Sequence, residues 1–149
     1  MPVADAPTPR DVAELMRRSE GPTALLDIAL DSIGTGHATA SLTLDDRMLN
    51  GFGSAHGGIL FLLADQAFAY ACNSENIATV AQGGSITFLS PSRRGERIIA
   101  EATRSGQAGR TGVYDVQVRT GDGRLLAIFQ GLSRSLERPV IETQNAGSD

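Results

Sequence analysis

The sequence has one cysteine, no long apolar run and no excess of basic residues. A single cysteine, Cys72, excludes a framework of intramolecular disulfides. Because Cys72 lies in an apolar segment, we expect it to pack in the interior rather than to act as a reactive thiol. No apolar stretch reaches the length of about eighteen residues that a membrane-spanning helix needs, so we expect no membrane partner.

Charge and length narrow the class of protein further. A net charge of −4 is unlike the basic surface of a nucleic-acid-binding protein, so we expect no nucleic-acid partner. The 149 residues, 41% hydrophobic and 20% charged, are typical of one globular domain with its own core. No basic and then apolar leader segment opens the chain, so we expect a cytoplasmic protein.

The stretch from residue 50 to residue 73 has the most informative pattern. It opens in a glycine-rich turn, passes through His56-Gly57-Gly58 and is then apolar on nearly every side from Ile59 to Cys72. A helix that is apolar all round is a buried helix. Asp65 and Gln66 interrupt it, and its length is too short to span a bilayer.

Asp65 is the anomaly in this predicted helix. Its neighbours three and four positions away are all apolar: Phe61, Leu62, Phe68 and Ala69. Aspartate is rarely buried unless it is paired or functional. One interpretation is a carboxylate that pairs with a backbone group or with an arginine elsewhere. The other is a catalytic carboxylate in a dry pocket, where desolvation makes it more basic.

The start of the same helix favours negative charge. Its free N–H groups and the helix dipole attract anions, and Gly57 and Gly58 have no side chain to keep a ligand away. Such groups are suited to polarising a carbonyl whose oxygen becomes an oxyanion. Glycines also occur at this position for turn geometry alone, so both interpretations stay open.

The helix geometry predicts an oligomer. Eight residues of helix rise about 12 Å, so Gly57 and Asp65 of one chain are too far apart to act on one carbonyl. Two such helices packed antiparallel across a two-fold axis would bring each Asp65 to the partner's Gly57. We therefore expect a dimer with shared active sites.

Around this helix the pattern predicts a short first helix and about five to six strands. Residues 1–9 are a loose start, residues 10–19 form the first helix, and residues 137–149 form a flexible tail. Alternating apolar and polar residues predict strands over residues 25–33, 36–44, 76–89, 97–104, 111–120 and 124–136. The first two strands form a hairpin and the others a meander, with a bulge or close approach at Gly83-Gly84.

The fold class that satisfies this pattern is α+β. We expect one domain over residues 10–136, in which an antiparallel sheet wraps around the single long central helix. One helix covers only one face of a sheet, so the other face needs a partner, which again predicts an oligomer.

Several motifs are shared with a known family. They are Met48-Leu49-Asn50-Gly51, His56-Gly57-Gly58, Leu63-Ala64-Asp65, residues 68–73 (FAYACN), Thr87-Phe88-Leu89 with Pro91, and residues 109–115 (GRTGVYD). Together they resemble the hotdog-fold acyl-coenzyme A thioesterases, and most nearly the PaaI type of the phenylacetate pathway. A related branch has a hydroxyl residue one turn after its carboxylate, where this chain has Ala69, which fits the PaaI-like branch.

This resemblance implies catalytic roles. Asp65 would act as general base or as nucleophile, two roles that the sequence does not separate. The N–H of Gly57, helped by that of Gly58, would polarise the thioester carbonyl. Asn50 would orient the carbonyl or the water, and His56 would shape the turn. The resemblance implies no metal and no bound cofactor, and it implies a dimer, commonly a dimer of dimers.

Further residues are candidates for substrate binding. The acyl pocket would be lined by Phe61, Leu62, Phe68 and Phe88. Arginines, among them Arg93 and Arg110, would meet the phosphates of coenzyme A, with Thr111 beside them in the GRTGVYD motif. From the residues alone, these arginines are equally well explained as solvated surface groups.

The residues alone also allow other roles around the helix start. Asn50 fits a turn or a cap as well as it fits catalysis. Ser54 fits a helix cap better than a Ser-His-Asp triad, because no nucleophile elbow follows a strand.

The first functional hypothesis is hydrolysis of phenylacetyl-, hydroxyphenylacetyl- or a related acyl-coenzyme A in phenylacetate degradation. The alternatives are a thioesterase for medium-chain aliphatic acyl groups and a non-catalytic acyl-coenzyme A-binding module. A hotdog hydratase fits less well, because the helix carries the thioesterase pattern.

Overall fold

A six-stranded antiparallel sheet curls around one long helix in the computed structural model, which describes residues 5–143. The helices are α1 (Pro9–Arg18), α2 (Gly21–Leu25) and α3 (Gly57–Asn73), with a 3-10 turn at Asp46–Met48. The strands are β1 (Ala29–Gly34), β2 (His37–Thr43), β3 (Thr79–Phe88), β4 (Arg97–Ala108), β5 (Thr111–Thr120) and β6 (Leu125–Ser135). This architecture confirms the predicted fold class.

The strand order corrects the predicted meander. The order is β1-β2-β4-β5-β6-β3, so β3 pairs with β6 at the far edge and not with β4, which follows it in the chain. Alternation of apolar and polar residues predicts a strand but does not specify its neighbour. The predicted irregularity in β3 is confirmed, since its register with β6 shifts between Ala81 and Gly83.

The chain before β1 also differs from the prediction. The first strand was predicted over residues 25–33, but it begins at Ala29 because Gly21–Leu25 forms α2. The first N–H groups of a helix have no partner within the helix, so proline, which has no N–H, is accepted there. Pro22 therefore fits the first turn of α2. Asp27 then takes a positive φ of 52°, which turns the chain into the sheet.

Part of the predicted tail lies against the body of the protein. The Ala78 N–H donates to the Arg138 carbonyl at 2.7 Å. The Asn76 side chain accepts from the Ile141 N–H at 2.8 Å and donates to the Ile141 carbonyl at 3.0 Å. Residues 144–149 of the predicted tail, and residues 1–4 of the predicted loose start, lie outside the described residues.

Two aromatic rings, Phe68 from α3 and Phe129 from β6, pack against glycines of the sheet where α3 meets it. Phe68 of α3 is only 1% exposed, and a Cβ at Gly131 of β6 would lie 2.8 Å from its ring. Gly84 of β3 pairs with Gly131 in register, and a Cβ there would lie 2.9 Å from the ring of Phe129. The two rings therefore occupy space that any larger residue at these two glycines would fill.

One side of α3 stays open within the chain. We define the open stripe as the residues of α3 that are not buried and recur every three or four positions: Gly58, Phe61, Leu62, Asp65, Ala69 and Cys72. The prediction that the helix is buried all round is therefore wrong for a single chain. Among residues 5–143, no helix has the length and apolar character needed to cross a membrane.

The seating of Phe68 on the sheet leads to a stability prediction. Replacing Gly131 with alanine should lower the free energy of unfolding by about 1–3 kcal/mol, because the added methyl group displaces a ring in a close-packed core. Gly34→Ala is the matched control, since a Cβ at Gly34 meets nothing within 4 Å. Urea unfolding measures both, and equal midpoints for the two variants would contradict this account of the packing.

Candidate active site

A pocket of about 420 Å³ lies at the N-terminus of α3. It is lined by residues from the turn before α3, from α3 itself and from the segment after β3: Asn50, Ser54, Ala55, Gly57, Leu60, Phe88, Leu89, Ser90, Pro91 and Ser92. The structure thus brings together three predicted site residues, Asn50, Gly57 and Phe88.

The amide of Gly57 is an available hydrogen-bond donor of this pocket. Among the described residues, no acceptor lies within hydrogen-bonding range of its N–H. The Gly58 N–H, in contrast, donates to Nδ1 of His56 at 3.1 Å, which makes His56 the N-cap of α3. His56 thus lies in the turn where the sequence places it, and in this arrangement the N–H of Gly58 is occupied by His56. His56, and not Ser54, is the cap.

Asn50 builds the turn before α3 and also lines the pocket. Its Oδ1 accepts from the N–H of Phe52 at 2.9 Å and from the N–H of Ser54 at 3.2 Å, so it builds the turn before α3. Its Nδ2 has no acceptor among residues 5–143 and belongs to a side chain that lines the pocket. One end of the side chain is structural, and the other is free for a ligand.

Asp65 lies two turns further along α3, half-buried on the open stripe. Within the described part of the chain it has no hydrogen bond and no ion pair, so the interpretation of a structurally paired carboxylate has no support. Burial raises the pKa of Asp65 above its ordinary value, and repulsion by Glu20 raises it further. A carboxylate with a raised pKa and no partner is suited to accept a proton.

The predicted acyl-binding residues divide into three locations. Phe88 lines the pocket and packs over Gly57, where a Cβ would lie 2.8 Å from its ring. Phe61 and Leu62 lie on the open stripe. The prediction is wrong for Phe68, because it faces the sheet and is buried against Tyr114 and the glycine of β6. Helical periodicity gives two apolar faces here and does not say which one meets the sheet.

The predicted phosphate-binding residues lie at opposite ends of the sheet. Arg93 follows β3 and lines a surface recess that shares Ser90 and Pro91 with the pocket. Arg110, in the β4–β5 turn, lies 3.5 Å from Glu137, and Thr111 begins β5 beside it. The 10 residues of β3 separate the two ends by about 30 Å. In one chain, Arg93 and Arg110 therefore cannot bind one phosphate group.

Sequence reasoning missed the segment after β3. Ser90 and Ser92 line the pocket, and the hydroxyl of Ser92 is buried without a hydrogen-bond partner among the described residues. No motif marks either serine; only the placement of β3 at the sheet edge brings them to α3.

Among residues 5–143, no three His, Cys, Asp or Glu side chains converge to hold a metal ion. Burial raises the pKa of Cys72 to about 12, which keeps its thiol unreactive.

Comparison with known proteins agrees with this geometry. The profile of the thioesterase superfamily matches residues 52–127. The acyl-coenzyme A thioesterase PaaI of Escherichia coli (strain K12) is 40% identical over 124 residues, which are 83% of this chain and 89% of that protein. The solved structure of the E. coli PaaI protein from the phenylacetic acid degradation operon matches with a TM-score of 0.85 at 37% identity, covering 88% of this chain and 95% of that chain.

A second solved structure, the TT0310 protein from Thermus thermophilus, matches with a TM-score of 0.75 at 32% identity, covering 78% of this chain and 98% of that chain. The chain therefore belongs to the thioesterase superfamily of hotdog-fold enzymes. Within it, the chain falls among the PaaI-like acyl-coenzyme A thioesterases.

The unpaired state of Asp65 leads to a prediction about stability and pH. A raised pKa means that the folded chain binds the proton more tightly than the unfolded chain. The stabilising contribution of protonated Asp65 is complete below its ordinary pKa and is lost as the pH rises through the raised pKa. Asp65→Asn should therefore unfold at a higher Tm than the wild type at about pH 7.5, and the difference should close below about pH 4.

Thermal unfolding followed by circular dichroism measures this difference. Asp122→Asn is the control, because a hydrogen bond from the Thr120 hydroxyl lowers the pKa of Asp122, and its loss should bring no gain in stability. A lower Tm for Asp65→Asn than for the wild type at neutral pH would show that Asp65 stabilises the fold instead.

Proposed function

We propose that this enzyme hydrolyses phenylacetyl-coenzyme A, hydroxyphenylacetyl-coenzyme A or a closely related aryl-acetyl thioester in the cytoplasm. The observation that carries the proposal is the free N–H of Gly57, in a pocket at the start of the helix that bears Asp65. The E. coli relative, from the phenylacetic acid degradation operon, supports the choice of acyl group.

The Gly57 amide polarises the thioester carbonyl. It points from the positive end of a 17-residue helix, so negative charge that develops on the carbonyl oxygen is stabilised there. The free Nδ2 of Asn50 is a second donor on the same pocket wall. Asp65, ionised, either removes a proton from the attacking water or attacks the carbonyl carbon itself, and both routes end in free acid and coenzyme A.

The complete site requires two chains. Gly57 and Asp65 of one helix are about 12 Å apart along its axis. The open stripe lies beside β3, an edge strand that pairs, among residues 5–143, only with β6. Val80 and Phe88 of β3 are 47% and 52% exposed, and Phe61 of the stripe is 37% exposed. Exposed apolar side chains on and beside an edge strand favour association with another chain. Pairing β3 with its copy across a two-fold axis lays the two α3 helices antiparallel.

Aromatic and basic side chains around the pocket are suited to the acyl group and to the phosphates of coenzyme A. Phe61 and Phe88 offer aromatic contacts to an aryl-acetyl group. The guanidinium of Arg93 has no acidic partner within 4 Å among the described residues, and its recess adjoins the pocket. It is therefore the arginine we assign to a phosphate of coenzyme A. In the two-chain arrangement, Arg110 would come from the other protomer.

The reaction is tested by the release of free thiol from a panel of acyl-coenzyme A thioesters. The panel contains phenylacetyl, hydroxyphenylacetyl, benzoyl and straight chains of short to medium length. We expect the highest kcat/KM for the aryl-acetyl substrates and a loss of about 10²–10⁴-fold in Asp65→Asn, because the proton acceptor is gone. A medium straight chain as the best substrate would refute the acyl assignment, and full turnover by Asp65→Asn would refute the role of Asp65.

The shared site is tested by mixing two inactive variants. Gly57→Pro removes the N–H, and proline is accepted at the first position of a helix because the preceding His56 already has a ψ of 135°. Gly57→Ala is its control, since it keeps the N–H and should stay far more active. A heterodimer of Gly57→Pro with Asp65→Asn, purified through two different tags, has one intact site of two and should recover up to about half of the wild-type rate. No recovery would place the whole site within one chain.

A further inference from the structure

A second carboxylate, Glu20, lies over the same turn of α3 as Asp65. Glu20 connects α1 to α2, and one of its oxygens, Oε2, accepts three hydrogen bonds. The donors are the Nε2 of Gln66 at 2.8 Å, the hydroxyl of Thr23 at 2.9 Å and the hydroxyl of Tyr70 at 3.4 Å. Gln66 follows Asp65 directly, so these bonds fix Glu20 beside the helical turn that bears Asp65.

The charge of Glu20 is not neutralised by a neighbouring cation. Arg17 is the basic residue that faces this cluster, and its NH1 donates to the Tyr70 hydroxyl at 3.4 Å and to the Ile28 carbonyl at 3.0 Å. Its ion pair, at 3.8 Å, is with Glu14 and not with Glu20. Among the described residues, Oε2 of Glu20 therefore meets three neutral donors and no cationic partner within 4 Å.

The other titratable groups around Asp65 carry no opposing charge. Cys72, two turns further along the open stripe, stays a neutral thiol because burial raises its pKa to about 12. The phenol of Tyr70 also stays neutral, since burial and then the charge of Glu20 raise its pKa. Glu20, from the α1–α2 junction, is thus the charge that acts on Asp65, and its repulsion raises the pKa of Asp65 further than burial does alone.

We propose that Glu20 is a positioning residue of this thioesterase: its hydrogen bonds tie the α1–α2 junction to the turn of α3 that carries Asp65, and they hold a second carboxylate at that turn, so that Glu20 acts on the reaction through Asp65. The inference rests on the proposed role of Asp65. It does not depend on which acyl group the enzyme takes. Nothing in the sequence marks Glu20, which precedes Gly21-Pro22 and has the appearance of an ordinary surface acid.

The test is the pH profile of kcat/KM in the variant Glu20→Gln, with the best thioester of the panel as substrate. Glutamine keeps an oxygen that accepts from Gln66, Thr23 and Tyr70, so only the charge is lost. Because Asp65 must be ionised to act, the rate falls as the pH drops through its pKa. Without the charge of Glu20, this acidic limb should move to lower pH. Glu101→Gln is the control, since it removes one exposed carboxylate from β4 and should leave the limb in place.

A second readout does not require turnover. In protein labelled with ¹³C at the aspartate carboxyl carbons, the Asp65 resonance is the one missing from the spectrum of Asp65→Asn. Its titration midpoint should move to lower pH in Glu20→Gln and stay unchanged in Glu101→Gln. Glu20→Asp shortens the side chain by one methylene, so it should move the midpoint of Asp65 in the same direction by a smaller amount. This variant replaces Glu20→Gln if Glu20→Gln does not fold.

The two readouts separate the inference from the proposed function. Superimposable titrations of Asp65 in the wild type and Glu20→Gln would overturn the inference, whatever the activity. A shifted titration in a protein that hydrolyses no thioester would support the coupling of the two carboxylates and refute the proposed reaction. A shifted titration without any shift in the pH profile would overturn the claim that Glu20 acts through Asp65 in catalysis.

Discussion

The seating of two aromatic rings on two sheet glycines is the contact on which the site depends. Phe68 of α3 lies on Gly131 and packs against Phe129 of β6, which itself lies on Gly84 of β3, so α3 has one rotation and one height above the sheet. That rotation turns the face of Asp65 away from the sheet, and that height places the start of the helix in the mouth of the pocket. In a close-packed core, a small change in side-chain volume moves the neighbouring groups. The positions of Gly57 and Asp65 therefore depend on Phe68 and Phe129, which do not line the pocket.

Asp65 lies in surroundings that destabilise its ionised form. A structural carboxylate at a half-buried position would be paired, because an unpaired charge away from water is costly. The Asp65 carboxylate has no partner within the described residues, and the charge that acts on it, Glu20, is of the same sign. Both features destabilise the ionised form. Burial without a partner and a neighbouring like charge are both expected if Asp65 takes up a proton, because functional sites are where proteins depart from the pairing of buried charges.

The sequence predicts the parts of this molecule that depend on neighbours along the chain. The central helix, the His56 turn and the isolation of Asp65 all follow from residues three or four positions apart. The position of β3 does not, because alternation carries no information about its pairing partner. For the same reason the sequence does not place Ser92 in the pocket. It places Phe68 there because helical periodicity does not say which apolar face meets the sheet. It does not mark Glu20 because two of its three donors lie 46 and 50 positions away.

The open stripe links the proposed dimer to the chemistry. It carries both the apolar surface that association would cover and Asp65, the carboxylate proposed to act on the thioester. In the proposed arrangement, covering the stripe withdraws Asp65 further from water, and desolvation favours its protonated form. The partner's Gly57 would arrive in the same step, so the base and the group that polarises the carbonyl come together only on association. A lone chain then holds its carboxylate in a partly solvated, less basic state, and the two-fold axis becomes a requirement for reactivity as well as for geometry.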